Sequence, residues 1–154
     1  MKLYLTTIPF KSILMTNIAI KGGVMPIKIL VVDDEPEILS MIEFFLKNEG
    51  YDVLKAYKGV AALNTIFNEH VDLIILDVLL PDKSGFQICE IIKNDPRYSS
   101  IPVFIISAKN EPGDFMTSLK VKANEYFQKP FNMEEIINKI REYFPTEDNG
   151  KNGS

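Results

Sequence analysis

The 154-residue sequence predicts an α/β fold built on a parallel five-stranded sheet with helices on both faces. Three observations predict it. Strand-length runs of β-branched and apolar residues alternate with stretches whose apolar residues recur at helical spacing. Several strand runs are solidly apolar, as strands covered on both faces are. The polar residues with chemical potential fall at the C-terminal ends of those runs, where open parallel sheets form their ligand crevice.

The first strand is Ile27-Lys28-Ile29-Leu30-Val31-Val32, stopped by Asp33-Asp34. Pro36 suits a first helical turn, and Ile38, Met41, Ile42, Phe45 and Leu46 follow at helical spacing, with Gly50 as the cap. A short strand over Asp52–Tyr57 and a helix near 59–69 come next. The third strand, Leu73-Ile74-Ile75-Leu76, ends at Asp77, and Pro81-Asp82-Lys83-Ser84-Gly85 reads as a loop. Phe86, Ile88, Ile91 and Ile92 mark a helix that Asp95-Pro96-Arg97 breaks. Val103–Ile106 is the fourth strand, closed by Ser107. Residues 109–121 form a weak helix with Pro112-Gly113 near its start. Glu125–Gln128 is a fifth strand before Lys129-Pro130, and Ile136, Ile137, Ile140 and Phe144 line a last helix.

Composition narrows the function. One domain accounts for the length, and 46% apolar residues supply one ordinary core. A single cysteine, Cys89, excludes an internal disulfide framework and fits a reducing, cytoplasmic setting. The net charge of −4 argues against a nucleic-acid surface. Residues 1–25 carry Lys2, Lys11 and Lys21 and no acid, and their apolar run is too interrupted to span a membrane. They are expected to be an extension, disordered or loosely attached; residues 26–144 form the domain, and 145–154 a disordered tail.

Asp33 and Asp34 end the first strand, Asp77 the third, Ser107 the fourth and Lys129 the fifth, so five residues from four strands converge on one rim. Three carboxylates there repel one another and call for a cation. Only oxygen ligands are offered, which favours a hard ion and above all Mg²⁺. A carboxylate beside such an ion can attack phosphorus and form an aspartyl phosphate. A lysine ammonium and a small hydroxyl would share the charge of the phosphoryl oxygens.

The blocks VVDDE (31–35), LDVLLPDKSG (76–85), ISA (106–108) and KPF (129–131) resemble, in order, the signature motifs of response-regulator receiver domains. The resemblance covers about residues 27–144. It implies a (βα)5 doubly wound, flavodoxin-like sheet in the order 2-1-3-4-5, an order the residues alone do not give. It further implies that Asp77 accepts a phosphoryl group from a histidine kinase or histidine phosphotransfer protein. Asp34 would bind Mg²⁺ directly, Asp33 mostly through water, and Leu79 would lend a backbone carbonyl. Ser107 resembles the switch hydroxyl and Tyr126 the aromatic that rotates with it, while Ala108 leaves room for the phosphate. Lys129 resembles the phosphate-binding lysine, before a cis bond to Pro130. Leu79 and Lys109 resemble rate-tuning positions.

Two departures from the family pattern stand out. Val121-Lys122-Ala123 lacks the glycine usual before that alanine, so the fourth helix is expected to end differently. Pro112-Gly113 falls in the same helix, harmless only in its first turn. Both concern the face of helix 4, strand 5 and helix 5, where the family docks its protein targets. The resulting expectation is a stand-alone switch, a regulatory phosphoacceptor rather than an enzyme, with no nucleic-acid or membrane partner. Two alternatives are an aspartyl phosphatase, against which adjacent acids pointing to opposite sides count, and a degenerate receiver that only docks. The lone His70 is assigned no role.

Overall fold

The computed structural model describes residues 25–108 and 112–146. In chain order they form β1 (Lys28–Val32), α1 (Pro36–Asn48), β2 (Asp52–Ala56), α2 (Gly59–Asn68) and β3 (Leu73–Asp77). Then follow α3 (Gly85–Asn94), β4 (Val103–Ser107), α4 (Pro112–Lys120), β5 (Glu125–Gln128) and α5 (Met133–Tyr143). The strands pair in parallel in the order β2-β1-β3-β4-β5. The expected fold class therefore holds. Residues 1–24 and 147–154, nearly all of the expected extension and most of the tail, lie outside the described residues, as does Lys109.

Alternation along each strand divides the interior into two cores. Leu30, Val32, Ile74, Leu76, Val103 and Ile105 face one way, against Ala62, Leu63 and Ile66 of α2 and Ile88, Cys89 and Ile92 of α3. Ile29, Val31, Leu73, Ile75, Phe104 and Ile106 face the other, against Leu39, Ile42 and Leu46 of α1 and Met133, Ile136, Ile137 and Ile140 of α5. Covering both faces explains why β3 and β4 carry no exposed residue. At about 25 cal/mol per Å² of apolar area, each fully buried Ile or Leu contributes roughly 1.5–3 kcal/mol.

The helix ends follow local chemistry. Pro36 opens α1. At its other end Gly50 adopts φ 90°, its N–H donates to Lys47 O, and the Tyr51 N–H donates to Leu46 O. Those two bonds make a Schellman motif, in which glycine's missing β-carbon removes the left-handed penalty. Ser84 caps α3: its hydroxyl accepts from Phe86 N, and the Gln87 side chain accepts from Ser84 N.

Helix α4 corrects one expectation. Pro112 is its first residue, so the proline costs no interior hydrogen bond. Nor does the helix end differently for want of glycine. Lys122 itself takes φ 62°, its N–H donates to Leu119 O at 3.1 Å, and the Ala123 N–H donates to Ser118 O at 3.0 Å. The termination is again a Schellman motif, with lysine in the left-handed place.

Candidate functional site

Strand order reverses beside β1, which has β2 on one side and β3 on the other. A crevice opens there beyond the carboxyl ends of β1 and β3, where Asp33 directly follows β1 and Asp77 is the last residue of β3. Both are buried, at 2% and 4% exposure. Their side chains meet through Lys129, carried in from the end of β5. Its Nζ lies 3.0 Å from Asp33 Oδ2, 3.4 Å from Asp77 Oδ2 and 3.8 Å from Glu35 Oε1.

The backbone holds these groups in place. Lys129 N donates to Ser107 O at 2.7 Å, and the Lys129-Pro130 bond is cis, as expected. Val78 N donates to Ile106 O at 3.1 Å, extending the β3–β4 pairing past Asp77. Asp33 Oδ1 accepts from Glu35 N at 2.9 Å, which folds the chain back on itself beyond β1. Gly85 N donates to Val78 O, and a β-carbon at Gly85 would overlap the Asp77 carbonyl. Glycine is required here because α3 starts directly against the backbone of β3.

Electrostatics mark the same place. Burial, then the neighbouring Asp33 charge, push the Asp77 carboxyl up to about 6, although Lys129 and the Leu79 N–H oppose the shift. Lys129 is partly desolvated, which works against its charge, yet Asp33 and Asp77 together hold its pKa above the ordinary lysine value. One ammonium thus leaves the carboxylates undercompensated. Asp33, Asp34 and Glu35 bring carboxylate oxygens within 4.8 Å of one another. A set made wholly of oxygens, carrying surplus negative charge, fits a hard divalent cation.

Most of the expected residues converge, with differences in detail. Asp33 is buried and Asp34 exposed, but their carboxylates are not thrown to opposite sides, because the strand and its alternation end at Val32. Neither aspartate serves as the N-cap of α1; that position is Glu35. Leu79 follows Asp77 with its side chain exposed, and its N–H lies 3.4 Å from Asp77 Oδ1. Ser107 is fully buried at the end of β4, where its hydroxyl donates to Asp114 of α4. Tyr126 is half-buried and meets the Phe115 ring edge-on at 6.0 Å. His70 pairs with Asp72 at 2.7 Å, beside the start of β3 and so at the opposite end of the strand from Asp77.

Three contributors escaped the sequence reading. Glu35 stands in plain view as the third acid of a row. Asp82 sits in the loop after Asp77 and caps α2 from outside, accepting from Gly59 N at 2.8 Å and Val60 N at 2.9 Å. Asp114 is the third. For the last two no sequence signal exists, since each acts across the fold.

Comparison with known proteins agrees with this geometry. Residues 29–141 match the family described as the response regulator receiver domain. Regulatory protein VanR of Enterococcus faecium is 40% identical over 114 residues, 74% of this chain and 48% of VanR. Regulatory protein VanRc of Enterococcus gallinarum is 41% identical over the same shares. The chain thus spans about half the length of the curated relatives it matches. Among solved structures, the BeF3-activated receiver domain of Thermotoga maritima DrrB superposes with a TM-score of 0.72 at 29% identity, covering 79% of this chain and all of that one. The chemotaxis response regulator CheY4 of Vibrio cholerae gives 0.71 at 28%, covering 77% of this chain and 98% of that one. Sequence, strand order and the acidic crevice point the same way, and this chain belongs to the response regulator receiver family, the phosphorylation-dependent switches of two-component signalling.

Proposed function

We propose that Asp77 is the phosphoacceptor of this receiver, and that its modification switches the domain's affinity for a protein partner. The observation that carries the reading is the buried Asp77 carboxylate held beside Lys129 and Asp33 at the switch in strand order. An Asp77 oxygen would attack the phosphorus of a phosphohistidine. The new O–P bond forms as the P–N bond breaks, and the departing imidazole takes up a proton. Lys129, already tethered to both aspartates, would transfer part of its pairing to a phosphoryl oxygen. Ser107 would donate its hydroxyl proton to another.

Asp33, Asp34 and Asp77, with the Leu79 carbonyl, would hold Mg²⁺, and Glu35 lies close enough to join them. That ion would neutralise charge on the transferring group. The residues themselves do the rest: Asp33 and Lys129 orient Asp77, and the domain thereby assists its own phosphorylation and dephosphorylation. A histidine kinase or phosphotransfer protein would be the donor, in the cytoplasm. Downstream, the α4–β5–α5 face offers exposed Phe115, Met116 and Leu119 next to Tyr126 for a protein target.

The test is incubation with a small acyl-phosphate donor and Mg²⁺, read by intact mass, for wild type and Asp77→Asn. One added phosphoryl group, dependent on Mg²⁺ and missing in the variant, is the expected result. A wild type that stays unmodified would replace this reading with a domain that only docks.

A further inference from the structure

Ser107 closes β4 at full burial, and its hydroxyl donates to Oδ2 of Asp114, 3.3 Å away. Asp114 stands in the first turn of α4, half-buried, and is followed directly by Phe115. The Phe115 ring leans edge-on against Tyr126 of β5. One hydrogen bond therefore joins the end of a sheet strand to the helix turn that supports the aromatic pair.

A hydroxyl has a single proton to donate. Under the function proposed above, on which this inference rests, a phosphoryl oxygen on Asp77 claims that same proton. Two anionic acceptors then compete for one donor. Either Ser107 stays with Asp114 or it turns to the phosphoryl group.

We propose that Asp114 is a positioning residue, a latch that holds Ser107 and the first turn of α4 in the unphosphorylated arrangement. Release of Ser107 by Asp114 frees the turn that carries Phe115, and the change reaches Tyr126 through their ring contact. Asp114 thereby sets how strongly a phosphoryl group must pull before the α4–β5 face responds. An acid in a first helical turn also complements the helix dipole. A dipole role, however, does not depend on whether residue 107 has a hydroxyl.

That difference defines the experiment. Beryllofluoride with Mg²⁺, a phosphoryl mimic, is titrated into wild type, Asp114→Ala, Asp114→Asn, Ser107→Ala and the Ser107→Ala/Asp114→Ala double variant, followed by fluorine NMR. Asp114→Ala should lower the half-saturating concentration about 3–10-fold, the worth of one ordinary net hydrogen bond. Asp114→Asn, which keeps an acceptor without the charge, should fall between. In the Ser107→Ala background, removing Asp114 should change nothing. In the metal-free protein, amide exchange in α4 should rise in both Asp114→Ala and Ser107→Ala. An unchanged titration in Asp114→Ala beside a wild type that binds, or an effect that persists without Ser107, overturns the latch alone. A wild type that takes up no beryllofluoride overturns the proposed function and the latch together.

Discussion

The Lys129 ammonium lies 3.0 Å from Asp33 and 3.4 Å from Asp77, and so joins two buried carboxylates to one cation. The pairing is unequal to its load, since the Asp77 carboxyl is still pushed up to about 6. Its folded pKa exceeds the unfolded value, so the protonated form favours folding. That stabilisation is complete below about pH 4 and is lost as pH rises through about 6. The metal-free protein should therefore lose about 1–2 kcal/mol from this site between pH 4 and pH 7.5, after discounting for the partly hydrated rim. Urea unfolding at the two pH values should show the loss in wild type and a smaller one in Asp77→Asn. An equal loss in both would place the effect elsewhere.

Removing the cation should cost more than removing either acid. Lys129→Met keeps the length of the side chain but leaves Asp33 and Asp77 facing each other unpaired. Breaking a buried pair in this way costs about 3–5 kcal/mol. The loss should be largest at pH 7.5 without Mg²⁺ and shrink on adding Mg²⁺ or on acidification toward pH 5, because either relieves the repulsion. Thermal unfolding across those conditions checks it, and a loss indifferent to both would mean the lysine serves packing.

Gly85 supports the backbone of Asp77 and Val78 from beneath. Its amide donates to Val78 O, and a β-carbon there would collide with the Asp77 backbone. Gly85→Ala should cost about 1–3 kcal/mol as α3 shifts outward. It should also weaken Mg²⁺ binding, since Asp77 and Leu79 move with that backbone. By contrast, Gly50→Ala, at a left-handed position with open space around it, should cost only the conformational penalty of about 1–2 kcal/mol and leave Mg²⁺ binding alone. Parallel titrations of the two variants separate the roles.

Much of this site was legible in the sequence because a doubly covered parallel strand announces its own end. Leu73 to Leu76 are apolar without interruption, so Asp77 could only begin the crevice. The same reasoning brought Asp33, Ser107 and Lys129 to one rim. It could not show that the chain turns back after Val32 and gathers Glu35 beside Asp33, because strand alternation says nothing beyond the strand. Asp114 was hidden for a related reason: its partner, Ser107, is decided by where α4 docks. The missing glycine before Ala123 predicts a different helix ending, whereas Lys122 bears the strain and keeps the ending.

That strained lysine yields the last prediction. With φ 62°, Lys122 sits where an L-residue costs about 1–2 kcal/mol and glycine almost nothing. Glycine also loses more freedom on folding, which returns part of that gain. Lys122→Gly should therefore stabilise the protein by about 0.5–1 kcal/mol, and Lys122→Val, β-branched in the same conformation, should destabilise it. The turn matters beyond stability. Val121 O accepts from the buried Cys89 thiol at 3.5 Å, and Ala123 N closes α4 onto Ser118 O, so the helix bearing Asp114 is anchored at this end. A better-formed anchor should raise the urea midpoint without shifting the beryllofluoride titration. Should both shift together, the C-terminal turn of α4 would itself belong to the switch.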